Sequence, residues 1–370
     1  MNVVELTKEL IAIPSESRHS NRPVSDFLAG LLDEMGFDLE EVTYYEDGEE
    51  KVSLVAKKGR GDAGLGFFSH SDTVPGGEGW EPFQPVVNQR RLYGRGSCDT
   101  KGPLAASIVA ASAITEALDH PVFLAITSDE ECGLKGARRV VADSKIFGDS
   151  PPEYGVICEA TGMVPVYAHK GVVNIRVTAH GVSAHSSTDK GISSNFKIAP
   201  FLAEMAELKQ LFDSEQRFMN PAFDPPVNGI NMVFNDGGTA HNVTASRTDC
   251  SICFRAMPDA SVDEAIDMIT SRASKRELEV ELRLRLDPFC GEKNGALAQA
   301  ACRATGAPAA VNVPYGTEAF IYQHHLEALV LGPGHIAQAH TKGEFIDIGE
   351  LESAVEVYRT LIDHFCSSQG

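Results

Sequence analysis

Short apolar segments alternate with alanine-rich or amphipathic segments in the first half of the chain. Four of the apolar segments have the length and composition of buried strands, and residues Pro103 to Leu118 and Ala137 to Ala142 have the composition of helices. Strands that are separated by helices usually form a parallel or mixed sheet with helices on both faces. The sequence therefore predicts an α/β domain whose strands include KVSLVAKKG, GLGFFSHSD, VFLAITSDE and YGVICEA.

The order of elements changes between residues 170 and 286. This segment reads as strand, long helix (Ser193 to Phe212), strand, strand, helix (Ser261 to Arg276) and strand, which is the order of a ferredoxin-like module. The edge strands of such a module can pair with a second copy of the chain. The α/β pattern then returns. We therefore expect a catalytic domain of residues 1–169 and 287–370, interrupted by an inserted domain of residues 170–286.

Length, charge and hydropathy restrict the possible partners. The 370 residues exceed what one hydrophobic core usually serves, which supports two domains. The formal net charge of −20 argues against nucleic acid or an anionic membrane, because both require a basic surface. No run of about 18 apolar residues is present, so we expect no transmembrane helix.

The N-terminal segment and the cysteines indicate the compartment. The first residues form an amphipathic pattern that ends before Pro14 and lack the basic and apolar regions of a secretory signal, so we expect a cytoplasmic protein. The eight cysteines are scattered singly, apart from Cys250 and Cys253. These two would point to opposite faces of a strand, so we interpret them as buried free thiols, with a redox or zinc role as the alternative.

Polar and acidic residues follow three of the predicted strands, at the edge where α/β sheets bind ligands. In the pair His70 and Asp72, the ring can bind zinc through one nitrogen while the carboxylate accepts a hydrogen bond from the other. Glu130 and Glu131 follow the next strand, where one can bind a metal and the other act as general base. Glu159 follows a third strand. Each motif taken alone also fits a surface polar pair or a solvated acidic loop.

Two further residues complete a possible ligand set. Asp99 lies in a glycine-rich loop before the alanine-rich helix, either as its N-cap or as a carboxylate that bridges two cations. His340 follows another apolar strand and a turn. Two histidines and three carboxylates suit two divalent ions that share the aspartate, and this mixed nitrogen and oxygen set favours Zn²⁺, with Co²⁺ or Mn²⁺ as substitutes. Such pairs, roughly 3.5–4 Å apart, polarise a carbonyl and lower the pKa of bound water.

The motifs together resemble one family along nearly the whole chain. It is the metallopeptidase family that contains acetylornithine deacetylase, succinyl-diaminopimelate desuccinylase and the glutamate carboxypeptidases. The resemblance implies a zinc-peptidase-like catalytic domain with a mixed sheet flanked by helices, an inserted ferredoxin-like α+β dimerisation domain, and a homodimer. The matching motifs are HSDTVP (70–75), GRGSCDTKG (94–102), SDEE (128–131), CEAT (158–161), HKG (169–171), GVSAHSS (181–187) and GPGHIAQAH (332–340).

The resemblance also implies which residues bind the two metals. His70 and Glu159 would hold one ion, and Glu131 and His340 would hold the other. Asp99 would bridge them. The site would therefore contain two Zn²⁺ ions that share one carboxylate ligand.

Further residues match family positions that act on the substrate. Asp72 would orient the first histidine ligand, and Glu130 would move the proton from the hydrolytic water to the leaving amine. His185 would reach the partner subunit's active site and stabilise the oxyanion; a turn histidine is the alternative. Asn242 and Arg255 would hold the substrate's α-carboxylate, although an arginine on a strand can also form a plain ion pair.

Within the family, PYGTEAF (314–320) and GPGHIAQAH most resemble acetylornithine deacetylases, which implies N-acetylornithine deacetylation in arginine biosynthesis, with Gly316 and Thr317 at the substrate. Thr100 stands where Met is usual, Ala160 where Pro is usual, and Gly316 where Cys is common. Deacylation of N-acetylcitrulline or acyl-lysine, a desuccinylase and a carboxypeptidase therefore stay open. The alternative from another class is a non-catalytic dimeric relative.

Overall fold

The computed structural model describes residues 1–114 and 118–367, and the chain divides into two compact units. Within the described ranges, the first unit comprises Met1–Ala168, Gly291–Val311 and Thr317–Gly370, and the second comprises His169–Cys290 and Asn312–Gly316. The domain limits expected from the sequence stay a proposal. Across the described residues, we find no helix both long and apolar enough to cross a membrane.

Helices and strands are interspersed along the whole chain. The helices are α1 (Val3–Ala12), α2 (Arg22–Glu34), α3 (Lys101–Ser112), α4 (Lys135–Asp143), α5 (Lys145–Asp149), α6 (Ser194–Ser214), α7 (Val262–Lys275), α8 (Ala296–Thr305), α9 (Ala319–Tyr322) and α10 (Ile348–Cys366). The strands are β1 (Asp38–Glu46), β2 (Glu49–Lys58), β3 (Leu65–His70), β4 (Val86–Asn88), β5 (Arg91–Tyr93), β6 (Val122–Thr127), β7 (Tyr154–Ile157), β8 (Val166–His169), β9 (Val172–His180), β10 (Asn231–Asn235), β11 (Arg247–Phe254), β12 (Glu279–Leu286), β13 (Phe289–Cys290), β14 (Val311–Val313), β15 (Glu327–Val330) and β16 (Phe345–Asp347).

The central sheet of the first unit is mixed, with strands in the order β1-β2-β6-β3-β7-β15-β8. Strands β6, β3, β7 and β15 run parallel to their neighbours in that group, whereas β1, β2 and β8 pair antiparallel. Every residue of β3 and β6 is buried, which explains their continuous apolar sequences. The carboxyl ends of β6, β3 and β7 therefore meet at one edge of the sheet.

Helices cover both faces of this sheet. Phe67 of β3 contacts Tyr358 of α10, with ring centroids 5.0 Å apart. The next residue, Phe68, contacts Phe147 of α5 and Tyr322 of α9, at 6.3 Å and 4.1 Å. Since successive side chains of a strand point to opposite faces, α10 lies on one face and α5 and α9 on the other. The predicted sheet flanked by helices is confirmed.

Some elements differ from the sequence-based expectation. Helix α2 and strand β1 precede the first predicted strand and had no counterpart in the prediction. The alanine-rich helix begins at Lys101 and ends at Ser112, so it is shorter at its carboxyl end than predicted. Residues 115–117 of the predicted helix lie outside the described residues.

The second unit contains an antiparallel sheet in the order β10-β11-β9-β12. Its chain order is β9, α6, β10, β11, α7, β12, so the ferredoxin-like topology is confirmed. Along β11 buried residues alternate with less buried ones, as expected for a sheet with a single covered face. Cys250 is therefore buried in the core of this unit, while Cys253 is partly exposed, and both are free thiols.

Candidate metal centre

His70 is the last residue of β3 and is completely buried. Its Nδ1 lies 3.0 Å from the main-chain oxygen of Asp72 and 3.5 Å from the Asp72 carboxylate. A proton on Nδ1 satisfies these acceptors, so that Nε2 keeps its lone pair. Nε2 lies 3.1 Å from an oxygen of Asp99 and 3.5 Å from one of Glu159. This ring therefore presents a metal-binding nitrogen to two carboxylates.

Asp99 lies in the turn between β5 and α3. Gly96 has a φ of +82°, and Lys101 N–H donates to its carbonyl at 2.8 Å, so the chain reverses sharply there. A Cβ on Gly102 would lie 2.2 Å from the carbonyl oxygen of Ser97, so only glycine permits this approach. The N-cap of α3 is Thr100, and the N-cap alternative for Asp99 is therefore wrong.

Glu130 and Glu131 lie on a turn after β6, and not in the extended segment that the sequence suggested. The strand ends at Thr127, and Asp129 has a φ of 53°, which breaks the extended conformation. The backbone N–H groups of Glu130 and Glu131 donate to the carboxylate of Asp72, at 3.1 Å and 3.4 Å. Asp72 therefore contacts both the histidine ring and this turn.

The five predicted ligands form two groups that share one residue. The ligand atoms of His70, Asp99 and Glu159 lie within 4.8 Å of one another, and so do those of Asp99, Glu131 and His340. One oxygen of Asp99 lies 3.1 Å from Nε2 of His70, and the other lies 3.2 Å from Nε2 of His340. The Glu131 carboxylate lies 3.0 Å from the same nitrogen of His340. Asp99 thus has the position of a bridging carboxylate.

Comparisons with known proteins identify the family of this chain. The sequence profile of Peptidase family M20/M25/M40 matches residues 66–364. Acetylornithine deacetylase of Photorhabdus laumondii is 32% identical, over 99% of this chain and 98% of the relative. Acetylornithine deacetylase of Myxococcus xanthus is 31% identical, over 98% and 97%. The chain belongs to the peptidase family M20/M25/M40.

Solved structures of this family have the same fold. A metallo-carboxypeptidase of the M20 family from Sulfolobus solfataricus superposes with a TM-score of 0.76 at 16% identity, covering 98% of both chains. A dinuclear metal-binding peptidase of the M20 family from Bacillus subtilis gives a TM-score of 0.67 at 15% identity, covering 97% of this chain and 96% of that one. The family resemblance and the enzymatic class expected from the motifs are confirmed: the protein is a metal-dependent amidohydrolase of the M20 type.

The carboxylates of this M20 enzyme are crowded. Burial, together with the adjacent carboxylates, raises the pKa of Glu159 to about 7, and the same two causes raise the pKa values of Glu130 and Glu131. Hydrogen bonds to Asp99 and Glu131 raise the pKa of His340 to about 10. Without cations, this cluster therefore retains protons that the isolated side chains would lose. Two divalent cations would replace those protons, so the donor set fits a dinuclear site.

Two further buried acids lie near the centre. Glu344 accepts hydrogen bonds from the backbone N–H groups of Gly96, Cys98 and Asp99 at 2.8–3.0 Å and pairs with Arg95 at 2.8 Å, so it holds the loop of the bridging residue. In the sequence Glu344 follows TKG and resembles a surface acid. Only its hydrogen bonds to the backbone of the distant loop show that it is buried near the centre. Among the described residues, Glu318 accepts from the hydroxyl of Thr127 through one oxygen and has no partner for the other.

The remaining predicted residues are divided between the two units. Thr317 is buried in the first unit, where its hydroxyl oxygen accepts from the N–H of Ala319 at 3.1 Å. His185, Asn242 and Arg255 lie on the second unit, which also contains Gly316. Their roles in substrate binding and oxyanion stabilisation stay predictions. By contrast, Thr100, which departs from the family pattern, donates to the main-chain oxygen of His70 at 2.9 Å and so supports a proposed ligand.

We predict that the metal-free protein loses stability as the pH rises from about 5 to about 8. Glu159 titrates near 4.5 when unfolded and at about 7 when folded, so between these values the folded state binds more protons and each rise in pH destabilises it. His70 and His340, whose pKa values are raised, act in the same direction above pH 6.5. The total change in the free energy of unfolding is on the order of 1–3 kcal/mol. The melting temperature of the protein in EDTA, recorded across this pH range, follows the change.

The zinc-loaded protein should show the opposite trend, because these ligands bind a cation only when deprotonated. Glu159→Gln, measured without metal, is the control and should flatten the pH dependence. Identical pH profiles for the metal-free and zinc-loaded proteins would show that these side chains do not share a metal site.

Proposed function

We propose that the protein hydrolyses N-acetylornithine to acetate and ornithine, a step of arginine biosynthesis. The observation that carries the hydrolytic part is the pair of ligand groups sharing Asp99 beside Glu130. The relatives named acetylornithine deacetylase, 31–32% identical over nearly the full length, support the substrate. The small-molecule partner that this implies is an N-acyl amino acid.

We assign the metal ligands as the geometry groups them. His70 and Glu159 would hold one cation, Glu131 and His340 the other, and Asp99 both. The mixed nitrogen and oxygen donors favour Zn²⁺, with Co²⁺ or Mn²⁺ as substitutes. When bound, the two cations polarise the amide carbonyl and make water more acidic.

Glu130 is the proposed general base and acid. Its pKa is raised by burial and by the adjacent carboxylates, so it holds a proton more readily than an ordinary glutamate does, as a residue that accepts and later releases a proton must. Glu130 would take a proton from the attacking water as the bond between water oxygen and acyl carbon forms. It would then give that proton to the nitrogen as the carbon–nitrogen bond breaks. The Asp72 carboxylate fixes the backbone from which Glu130 projects.

The second unit supplies the proposed dimer contact. Strand β10 is an edge strand, and its residues Val233 and Phe234 are 62% and 60% exposed. Exposed apolar side chains on an unpaired edge are typical of a surface that pairs with another chain. We therefore propose a homodimer through this unit.

His185 is proposed to donate to the oxyanion in the partner's site. The backbone N–H of Ser187 donates to Nδ1 of His185 at 3.2 Å. A neutral ring therefore carries its proton on Nε2, which is the form that can donate outward. Asn242 and Arg255 are the proposed partners of the substrate α-carboxylate, because an amide and a guanidinium fork both donate to carboxylate oxygens. Gly316 and Thr317 are also proposed to contact the substrate.

The proposed compartment is the cytoplasm. All eight cysteines are free thiols, which is the usual state in a reducing environment. A reducing compartment also fits a biosynthetic enzyme that acts on a small metabolite.

A panel of N-acyl amino acids tests the substrate. We expect the zinc- or cobalt-loaded enzyme to show its highest kcat/KM with N-acetylornithine, and lower values with N-acetylcitrulline, N-acetyl-lysine and N-succinyl-diaminopimelate. A desuccinylase must bind a second carboxylate and needs another cationic group for it. A preference for the succinyl substrate, or for a peptide with a free carboxyl terminus, would replace the proposed substrate and leave the metal assignment intact.

Glu130→Ala should keep its metal and lose kcat by at least about a hundredfold, because proton transfer is lost while the ligands stay in place. The measurement is kcat together with metal content. Glu34→Gln, an exposed acid at the end of α2, is the control and should leave kcat unchanged. Near-normal turnover in Glu130→Ala would assign the base to another residue.

His185→Ala should lower kcat and leave the metal content unchanged, because we assign it to the partner's site. Mixing it with Glu130→Ala creates heterodimers in which one of the two sites has both residues. If subunits exchange randomly, about a quarter of wild-type activity should return. Verified heterodimers that remain inactive would exclude catalysis across the subunits.

A further inference from the structure

A buried ion pair lies beside the turn that carries Glu130 and Glu131. Nζ of Lys51, on β2, lies 2.9 Å from one carboxylate oxygen of Asp129, and the two side chains are 2% and 1% exposed. The hydroxyl of Tyr44, on β1, donates to the other oxygen at 2.9 Å. Both oxygens of Asp129 are therefore engaged, and residues from two strands hold this side chain.

The same lysine connects the turn to the loop after α1. Lys51 donates to the carbonyl oxygen of Ser17, and to that of His19 at 2.8 Å. The hydroxyl of Ser17 donates to the carboxylate of Asp72 at 2.7 Å, and Asp72 accepts from the backbone of the turn. These contacts form a closed ring that runs from Lys51 through Asp129, the turn, Asp72 and Ser17 back to Lys51.

The ring surrounds a backbone conformation that does not form readily by itself. Asp129 has a φ of 53°, in the left-handed region, which aspartate adopts more often than most residues but less readily than extended or right-handed helical backbone. Releasing Asp129 would let the turn relax toward extended backbone. Such a change would move the two glutamates that follow. Since a shift of about 1 Å in a catalytic group can lower a rate about a hundredfold, this backbone conformation bears directly on turnover.

Stability alone does not account for the pair. Removing a lysine and an aspartate from water has a large desolvation cost, and well-packed apolar residues in their place are often as stable or more stable. The pair instead holds the turn in one position relative to Asp72. The position of the turn, and not the stability of the fold, is therefore the physical reason for two buried charges here.

We propose that Lys51 and Asp129 are positioning residues for the hydrolytic reaction, and that they fix the turn from which Glu130 and Glu131 project. This inference rests on the proposed roles of those two glutamates. Neither Lys51 nor Asp129 would contact substrate or metal. Their effect would reach the reaction through the backbone of residues 129–131.

The test compares Lys51→Met, Asp129→Asn and the double variant in the full-length enzyme reconstituted with zinc. Asparagine tolerates a left-handed φ as well as aspartate does, so Asp129→Asn removes the charge and leaves the backbone preference. We expect kcat to fall about 10–100-fold in all three, with KM changed less than about threefold. Zinc titration should show that one of the two ions binds at least about tenfold more weakly, because Glu131 is displaced while His70 and Glu159 are not.

The double variant separates positioning from a structural role. Lys51→Met leaves an unpaired buried carboxylate and should lower the urea concentration at the midpoint of unfolding. The double variant should regain most of the lost stability, because no buried charge is left without a partner. In the double variant we expect kcat to stay low and one of the two zinc ions to stay weakly bound. Recovery of kcat together with stability would overturn the proposal. Lys57→Met, at the other end of β2, is the matched control and should leave kcat, zinc affinity and the urea midpoint unchanged.

Glu130→Gln distinguishes this inference from the proposed function. If that variant loses turnover while Asp129→Asn keeps the wild-type kcat and zinc affinity, only the positioning proposal fails. If Glu130→Gln keeps full turnover, the assignment of the general base fails. The positioning proposal is then decided by zinc affinity alone: weakened binding of one ion in Asp129→Asn supports it, and wild-type binding of both ions overturns it.

Discussion

Repulsion between carboxylates is the interaction on which the rest of this structure depends. The parallel strands end at one edge of the sheet, and there the chain brings Asp99, Glu131 and Glu159 together, with Glu130 close by. Like charges at such short range in a buried place cannot all remain ionised without compensation. A histidine that binds a metal does so through a neutral ring nitrogen, so the two rings would add no positive charge of their own to the loaded site. Divalent cations are the compensation that matches the number, type and spacing of these groups.

The need to hold that arrangement explains the buried polar residues around it. Two of the proposed ligands are supported by a side chain from a distant segment: Glu344 binds the loop of Asp99, and Asp72 binds the turn of Glu131. These supports are carboxylates that accept backbone N–H groups, so they fix the chain and not only the side chain. Preorganisation of this kind keeps ligands in place when the metal is absent and lowers the cost of binding it.

Reaction type and substrate depend on different parts of the molecule. The metal-binding groups specify hydrolysis at a polarised carbonyl, and they would serve a deacetylase, a desuccinylase or a carboxypeptidase equally well. Selectivity depends on side chains that contact the rest of the substrate. Of the proposed ones, Asn242 and Arg255 are exposed on the second unit, whereas Thr317 is buried in the first. This explains why the family follows firmly from the motifs while the substrate is a proposal.

The sequence alone determined the layers, most strands and helices, the ferredoxin-like module and the identity of the five proposed ligands. Apolar segments and short motifs encode these features locally, and polar residues placed directly after apolar strands are brought together by the parallel sheet. It did not predict α2 or β1, the turn at Asp129, or the roles of Glu344 and Lys51. The roles of Glu344 and Lys51 depend on partners far away in the chain: Glu344 contacts a loop some 245 residues earlier, and Lys51 contacts Asp129, 78 residues later. Whether a charged residue is solvated or buried against a remote backbone depends on contacts that no local pattern contains, and only the tertiary structure decides it.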